Sequence, residues 1–391
     1  MSEERRFVYL DNAATTQPAQ EVADAMAPYL RERYGNPSAL YSIGRDSKNT
    51  IEEARQSVAE LIGAAPEEVT FTSGGSESDN MALSGTLIAQ QSKGDHIITT
   101  AIEHHAVLET AQWLEKRAGK KLTVVPVDSL GMVDPDDIRK AITPRTVVVS
   151  VMHANNEVGT VQRLADISKI CRKAGVTFHT DAVQTVGNIK VDVNELGVDL
   201  LSLSGHKLYG PKGVGAIFIR KGTKVEKFIH GGEQERGRRA GTENICGIAG
   251  LAAAARLAMG ELKEKAKRLT RLRDRLIEGI QANIEAVTLD GHPTLRLPNN
   301  AHILISYIEG EAICLQLDTL GICASTGSAC SSEALEPSHV LLAMGVQPLD
   351  AHGSVRFSLG RDTTEEDIDY VIEKLPALVA RLRSMSPLTP R

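Results

Sequence analysis

Two short stretches of the sequence carry residue types that could perform chemistry together. Residues 199–207 place Lys207 just beyond an apolar run, where its amine could hold an aldehyde cofactor. Residues 324–330 place Cys330 among small and polar residues. A thiol in such a setting is more reactive than one enclosed in an apolar core. An amine for a cofactor and an accessible thiol together suggest sulfur chemistry.

The elements that must position these residues follow a repeating pattern of strands and helices. Apolar runs alternate with amphipathic stretches such as 47–62 and 164–174. The alternation predicts a mostly parallel sheet covered by helices, in which ligands bind beyond the carboxyl ends of the strands. The predicted strands of this sheet are Val69–Thr72, His96–Thr100, Thr146–Met152, Val176–Thr180, Leu200–Ser204 and Ala216–Arg220.

Three of these strand ends carry groups that suit pyridoxal phosphate. Residues 70–80 run from a strand through two glycines into a helix start, where free amide hydrogens bind anions such as phosphate. Asp181 ends another strand and could pair with a protonated ring nitrogen, and Lys207 follows a third. Each feature alone also has an ordinary interpretation, as a βα turn, a helix cap or a surface lysine. Their combination favours the cofactor.

Composition and charge exclude several classes of protein. The chain has 391 residues, of which 42% are hydrophobic and 24% charged, as in ordinary globular proteins. Its net charge of -6 gives no electrostatic reason to expect nucleic acid or an anionic membrane as a partner. The N-terminus lacks the features of a secretory signal, and no apolar stretch reaches the ~20 residues that span a bilayer, so a cytoplasmic location is expected. The odd number of cysteines, without a C-x-x-C pair, favours neither disulfides nor zinc.

The pattern of the sequence changes near residue 260. Residues 244–284 predict long helices, rich first in alanine and then in charged residues. The elements predicted beyond them are strands at 303–307 and 355–359 and a helix at 311–320. We therefore predict a large cofactor-binding domain of residues 16–260, and a small α+β domain of residues 1–15 and 261–391 that carries the cysteine loop.

Long motifs over nearly the whole chain resemble those of the NifS/IscS-type cysteine desulfurases. These are pyridoxal-phosphate enzymes of the aspartate-aminotransferase fold type I. The motifs occur at residues 9–16, 35–38, 73–80, 103–107, 155–159, 234–244, 335–339 and 355–359, and around Asp181, Lys207 and Cys330. The resemblance implies an α/β fold of the pyridoxal-phosphate-dependent transferase type. It also implies conversion of L-cysteine to L-alanine, with the sulfur transferred to an enzyme cysteine as a persulfide.

The resemblance assigns roles to individual residues. It implies that Lys207 forms a Schiff base with the cofactor and takes the Cα proton of the substrate, and that His104 stacks on the ring and assists proton transfer. Asp181 is implied to hold the ring nitrogen and Gln184 the ring oxygen, whereas His105 is expected to be peripheral. The cofactor-binding residues implied are Gly75, Ser76, His104, Asn156, Asp181, Gln184, Ser204, His206, Lys207 and Thr242.

Three further roles concern the substrate, the thiol and the neighbouring subunit. By resemblance, Arg356 clamps the substrate carboxylate in its bidentate fork, with Asn156 beside it, although a structural salt bridge is the alternative for Arg356. Cys330 is implied as the nucleophile, which completes a catalytic set with Lys207 and His104. Thr242 is implied to reach the phosphate of the neighbouring subunit, so a homodimer is expected.

Partners and rival functions complete the sequence-based interpretation. A sulfur acceptor such as an iron–sulfur scaffold protein is expected, with a modest preference for the NifS branch that serves nitrogenase. No permanent metal site is expected, although transient ligation of an iron–sulfur cluster by Cys330 stays open, as does the role of Cys323. One rival is a selenocysteine lyase or aminotransferase of the same fold, for which Cys330 would be dispensable. The other is a non-catalytic persulfide carrier or assembly scaffold, against which Lys207 argues.

Overall fold

The structure is a computed structural model that describes residues 6–327 and 337–387. Within these ranges the strands are β1 Val8–Tyr9, β2 Val69–Thr72, β3 His96–Thr100, β4 Lys121–Val125, β5 Thr146–Ser150, β6 Thr177–Asp181, β7 Leu200–Ser204, β8 Gly215–Ile219, β9 Val287–Leu289, β10 Asn300–Ile305, β11 Ile322–Cys323 and β12 Ser354–Ser358. The helices are α1 Gln20–Met26, α2 Pro28–Arg31, α3 Ser42–Ile62, α4 Gly75–Asn80, α5 Thr86–Ala89, α6 His105–Ala118, α7 Pro135–Ala141, α8 Leu164–Ala174, α9 Val193–Leu196, α10 Ile245–Asn283, α11 Gly310–Thr319, α12 His339–Ala343, α13 Pro348–Ala351 and α14 Glu365–Met385. A π-helical turn, Met81–Gly85, joins α4 to α5.

A seven-stranded sheet forms the centre of the molecule, with strand order β2-β8-β7-β6-β5-β3-β4. The pairs from β7 to β4 are parallel, and β8 runs antiparallel to both of its neighbours. Every residue of β5, β6, β7 and β8 is buried, as expected when helices cover both faces of a sheet. The predicted α/β class with a mostly parallel sheet is confirmed.

Several predicted bounds differ from the observed ones by one to five residues, and two larger differences concern the sheet edge and the longest helix. The strand β4 was not predicted, because it lies at the sheet edge, begins with Lys121 and has only one fully buried residue, Val125. The long helices predicted over residues 244–284 are instead one continuous helix, α10. Its alanine-rich part and its charged part belong to the same 39-residue element.

A second, smaller body of structure lies beyond the central sheet. It contains the antiparallel sheet β12-β10-β9 and the parallel pair of β1 with β11. The first half of α10 packs into the core beside the central sheet, through residues such as Ile248 and Ala258. Its second half packs into the other core, through residues such as Leu269 and Ile280. The helix therefore runs through residue 260 without a break, and the division into domains at that point stays a prediction.

One helix within the described ranges, α10, is long and apolar enough to cross a membrane by length and composition. Half of its most apolar window is buried inside the fold. Core helices of soluble proteins pass the same test, so this finding is weak support for a membrane span.

Candidate active site

A cavity of about 380 Å³ lies at the carboxyl ends of the strands of the central sheet, a volume within the range of cofactor sites. Its walls are formed by residues that end or follow β2, β3, β5, β6 and β7, together with Arg356 of β12. The sequence-predicted residues that line it are Gly75, Ser76, His104, Asn156, Asp181, Gln184, Ser204, His206, Lys207 and Arg356. The fold therefore brings ten of the predicted site residues together around one space.

The glycine turn after β2 forms one wall of this cavity. Gly74 has φ +154°, and Gly75 is the first residue of α4. A Cβ atom on Gly75 would lie 2.7 Å from Cγ2 of Val183, so glycine permits the close approach of these two segments. The free backbone amides at this helix start are suited to a phosphate group.

Two residues at and just beyond the end of β7 complete the polar end of the cavity beside that turn. Ser204 ends β7 and is buried, and His206 lies in the short 3₁₀ turn Gly205–Lys207. The Nδ1 atom of His206 is 3.2 Å from Oγ1 of Thr15. Burial lowers the pKa of His206 to about 4, so its ring is a neutral hydrogen-bonding group at physiological pH.

Lys207 reaches into the cavity from the end of the same 3₁₀ turn. Its Nζ donates hydrogen bonds to the carbonyl oxygens of Ala13 at 2.5 Å and Ala14 at 2.7 Å. Both alanines also line the cavity. The N-terminal segment thus fixes the amine at the site where an aldehyde would react.

His104 lines the same cavity and is the N-cap residue of α6. Its Nδ1 accepts a hydrogen bond from the backbone amide of Ala106 at 3.1 Å. Because Nδ1 is an acceptor, the ring proton of the neutral imidazole lies on Nε2. Burial, followed by the positive charge of Lys207, lowers the pKa of His104 to about 4. The His104 ring is therefore neutral at physiological pH and carries an N–H donor at Nε2.

Asp181 and Gln184 lie at the end of β6. The Oδ1 atom of Asp181 accepts a hydrogen bond from the amide of Val183 at 2.8 Å, so the carboxylate also fixes the turn that follows the strand. Burial raises the pKa of Asp181 to about 6, against the lowering effects of that hydrogen bond and of Lys207. The Nε2 atom of Gln184 donates to the carbonyl oxygen of Ala13 at 3.1 Å.

Arg356 enters the cavity from β12 and is almost fully buried. Its Nη1 donates to the carbonyl oxygen of Asn156, and its Nη2 to Oδ1 of Asp11, both at 2.8 Å. Its Nε has no hydrogen-bond partner within the described ranges. The fork has protein partners as well as a cavity-facing position, so the geometry accommodates both the clamp and the salt bridge expected for this residue.

Two predicted residues are not among those that surround this cavity. Thr242 lines a separate pocket of about 170 Å³ with Arg239 and Asn244, so its role across a dimer stays a prediction. Cys330 lies outside the described residues. Cys323 is described, and its strand β11 pairs with β1 through Tyr9.

Sequence reasoning missed or misplaced several residues of the site. His105 was expected to be peripheral, but it lines the cavity and contacts the ring of His339, with 4.8 Å between ring centroids. Asp79 lies in the polar first helix after the glycine turn and was not singled out, although it is buried and faces the cavity. Glu103, which precedes His104, is also fully buried. Polar side chains in a short helix such as α4 are usually exposed, so the sequence around Asp79 gave little indication that this residue is buried.

The side chains present fit pyridoxal phosphate. Gly75, Ser76, Ser204 and His206 form the polar end suited to a phosphate, and Lys207 provides the amine for an aldehyde. The buried acid Asp181 suits a protonated ring nitrogen, because it lacks a cationic partner in direct hydrogen-bond contact among the side chains described.

Comparisons with known proteins point in the same direction. Residues 8–371 match the family model described as aminotransferase class-V. The chain is 53% identical to a protein named cysteine desulfurase IscS from Methanosarcina thermophila, over 100% of this chain and 96% of that one. A solved structure titled "NifS-like protein" has a TM-score of 0.90 and 39% identity, covering 96% of this chain and 100% of that chain. Another, titled "SspA in complex with cysteine", has a TM-score of 0.80 and 33% identity, covering 90% and 98%.

Proposed function

The chain belongs to the class-V aminotransferase family, whose cofactor is pyridoxal phosphate, and we propose that it is a cysteine desulfurase supplying sulfur for iron–sulfur cluster assembly. The observation that carries this proposal is the single cavity in which Lys207, Asp181 and His104 meet a glycine turn and a buried arginine. The 53% identity to a named cysteine desulfurase over the whole chain supports the choice of reaction.

The residues of the cavity have distinct tasks in this reaction. Pyridoxal phosphate, when bound, withdraws electrons from the substrate and so makes the bonds at its Cα and Cβ easier to break. Arg356 holds the substrate carboxylate, and Asp181 holds the ring nitrogen of the cofactor. Lys207 takes the Cα proton at Nζ, because hydrogen bonds to the carbonyl oxygens of Ala13 and Ala14 hold this amine in the cavity.

Sulfur transfer requires a nucleophile and a place for its proton. We assign the nucleophile to Cys330, whose thiolate attacks the sulfur of L-cysteine. The S–S bond of the persulfide forms as the Cβ–S bond of the substrate breaks. The electron pair of the broken Cβ–S bond stays on Cβ, where a proton then adds to complete alanine. The thiol proton is lost to solvent before the attack. Neutral His104 has Nδ1 engaged with Ala106 and its ring proton on Nε2, so it acts as a hydrogen-bond donor towards the sulfur.

The protein partners follow from the same assignment. We propose a homodimer in which Thr242 contributes to the site of the neighbouring subunit, and a cytoplasmic location. The physiological acceptor of the persulfide sulfur is proposed to be a scaffold or other carrier protein. Service to nitrogenase, as opposed to general cluster assembly, has no support beyond the sequence motifs.

The test is to supply L-cysteine to the purified holoenzyme and measure alanine and, with a thiol reductant present, sulfide. Equal amounts of the two products are expected, together with one added sulfur on the peptide that contains Cys330. A keto acid product without alanine would instead identify an aminotransferase. Release of alanine from selenocysteine but not from cysteine would identify a selenocysteine lyase.

A further inference from the structure

A buried acid that the proposed reaction does not use lies against the base of the cavity. Asp79 is 1% exposed, and its Oδ1 has no hydrogen-bond partner in the part of the chain that the structure describes. One oxygen of Asp79, one oxygen of Asp181 and one ring nitrogen of His104 all lie within 4.8 Å of one another. The cavity therefore has two carboxyl groups at its base, side by side with a neutral imidazole.

Among the residues that the structure describes, the groups next to Asp79 supply no positive charge to balance a negative one. The ionisable groups that act on it are the acids Asp181 and Glu103, and neither can supply a positive charge. His179, whose Nε2 lies 3.6 Å from Oδ1 of Asp79, is fully buried, and burial lowers its pKa to about 3, so its ring is neutral. A buried carboxylate without a cationic partner is costly, and protonation removes that cost.

A chain of hydrogen bonds fixes the Asp79 carboxyl from below. The His179 ring lies between two serines, with Nδ1 2.8 Å from Oγ of Ser150 and Nε2 3.0 Å from Oγ of Ser202. Ser202 in turn is hydrogen-bonded to the Asp79 side chain. If the Ser202 hydroxyl donates to Asp79, its oxygen must accept from Nε2–H of His179. Nδ1 of His179 then accepts from the hydroxyl of Ser150. The carboxyl thus has one oxygen held by this chain, and its other oxygen is available to carry a proton.

We propose that Asp79 is a positioning residue of the cofactor site, acting as a neutral, protonated acid whose O–H group faces Asp181. With Asp79 neutral, Asp181 bears the negative charge that holds the cofactor ring nitrogen, and the O–H dipole of Asp79 stabilises that charge. Glu103 is a second acid of this kind, since burial raises its pKa to about 8. This inference rests on the proposed use of pyridoxal phosphate, but not on the identity of the amino acid substrate.

Two substitutions of similar size separate the possible roles of Asp79. Asp79→Leu removes the hydrogen-bonding group, and Asp79→Asn keeps a neutral donor and acceptor in its place. In the holoenzyme without substrate, Asp79→Leu is expected to weaken pyridoxal phosphate binding roughly 10-fold and to move the pH titration of cofactor absorbance to lower pH. Asp79→Asn is expected to bind pyridoxal phosphate within about threefold of the wild-type affinity and to titrate at the wild-type pH, since a neutral donor is retained.

The opposite outcomes are decisive. If Asp79 acts as a carboxylate, Asp79→Asn will be as defective as Asp79→Leu, and if it only fills space, Asp79→Leu will bind the cofactor as tightly as the wild type does. Either result overturns the proposal. Infrared difference spectra give a direct measurement: the wild type minus Asp79→Asn should contain the carbonyl stretch of a protonated carboxylic acid at neutral pH. A carboxylate stretch in its place would also overturn the proposal, and Glu103→Gln locates the band of the second acid.

A second variant guards against misfolding of the Asp79 variants. Ser202→Ala removes the hydrogen bond that lowers the pKa of Asp79, so it favours the protonated form further. We expect it to leave the pH midpoint of the cofactor absorbance in place, whereas a shifted midpoint would indicate an ionised Asp79 and contradict the proposal. If the purified wild-type protein, supplied with pyridoxal phosphate, showed no absorbance of bound cofactor, the proposed function itself would be refuted. That outcome is distinct from the results above, which concern only the role of Asp79.

Discussion

Substitution of Arg356 by lysine tests whether this residue binds substrate or is only structural. The guanidinium presents two N–H groups in a fork, and in the structure Nη1 and Nη2 each contact an acceptor at 2.8 Å, on Asn156 and Asp11. A substrate carboxylate would engage the same fork. Lysine keeps the charge but provides a point contact in place of a bidentate one.

The expected loss follows from the removal of one of two charged hydrogen bonds. Such a bond contributes about 1.5–3 kcal/mol. At about 1.4 kcal/mol for each factor of ten, Arg356→Lys should lower kcat/KM for L-cysteine roughly 10- to 150-fold. The change should appear mainly in KM, and the absorbance of the bound cofactor before substrate is added should stay the same.

Asp11→Asn is the matched control, because Asp11 competes with the substrate for the same arginine. The Asp11 side chain is 20% exposed and that of Arg356 only 2%, so the pair is largely buried. Asparagine at position 11 keeps an oxygen that can accept from Nη2 but removes the competing negative charge. Its removal should leave KM unchanged or lower it up to about fivefold. If Arg356→Lys leaves KM unchanged while both variants lose thermal stability to the same extent, Arg356 is a structural salt bridge and the clamp assignment is wrong.

Further predictions concern the other site residues. Lys207→Ala should lose both the absorbance of lysine-bound cofactor and all turnover, and an unchanged absorbance spectrum would contradict the role of Lys207. Mixed dimers of Lys207→Ala and Thr242→Ala chains should recover activity above either parent if Thr242 acts across the interface, and native mass spectrometry must confirm that such dimers form. Cys330→Ala should still bind L-cysteine, seen as a change in cofactor absorbance, but should form no persulfide; substantial alanine formation, or a wild-type persulfide located only on Cys323, would identify another thiol. His104 has its pKa lowered to about 4, so its protonation should reduce kcat only below about pH 5, and an acid limb near pH 6.5 that His104→Gln abolishes would show that this ring is not neutral.

The central sheet was predictable because all of its strands except β4 are fully buried and rich in apolar and β-branched residues. The bounds predicted for β2, β3 and β7 agree with those observed. The general rule that ligands bind beyond the carboxyl ends of such strands then brought Asp181 and Lys207 to one cavity. These inferences depend on local pattern and fold class, which a sequence contains.

Long-range contacts were not predictable in the same way. Nothing near Lys207 in the sequence indicates that Ala13 and Ala14 hold its amine. The exposed edge strand β4 lacks the apolar run that identified its neighbours. Asp79 was missed because its burial arises from the packing of α4 against β7 and α6, and the polar sequence of α4 itself predicts an exposed helix.

The N-terminal segment that holds Lys207 has a consequence for synthesis on the ribosome. The backbone amide of Leu10 donates to Cys323, and the backbone amide of Ala13 donates to Oγ of Ser358 at 2.8 Å. Ala13 and Ala14 therefore cannot take their final places until about 150 residues after Lys207 have been made, which takes roughly 8–30 s at roughly 5–20 residues per second. Residues 10–14 are therefore translated long before their final contacts can form, and the complete cofactor cavity forms only after Ser358 has been made.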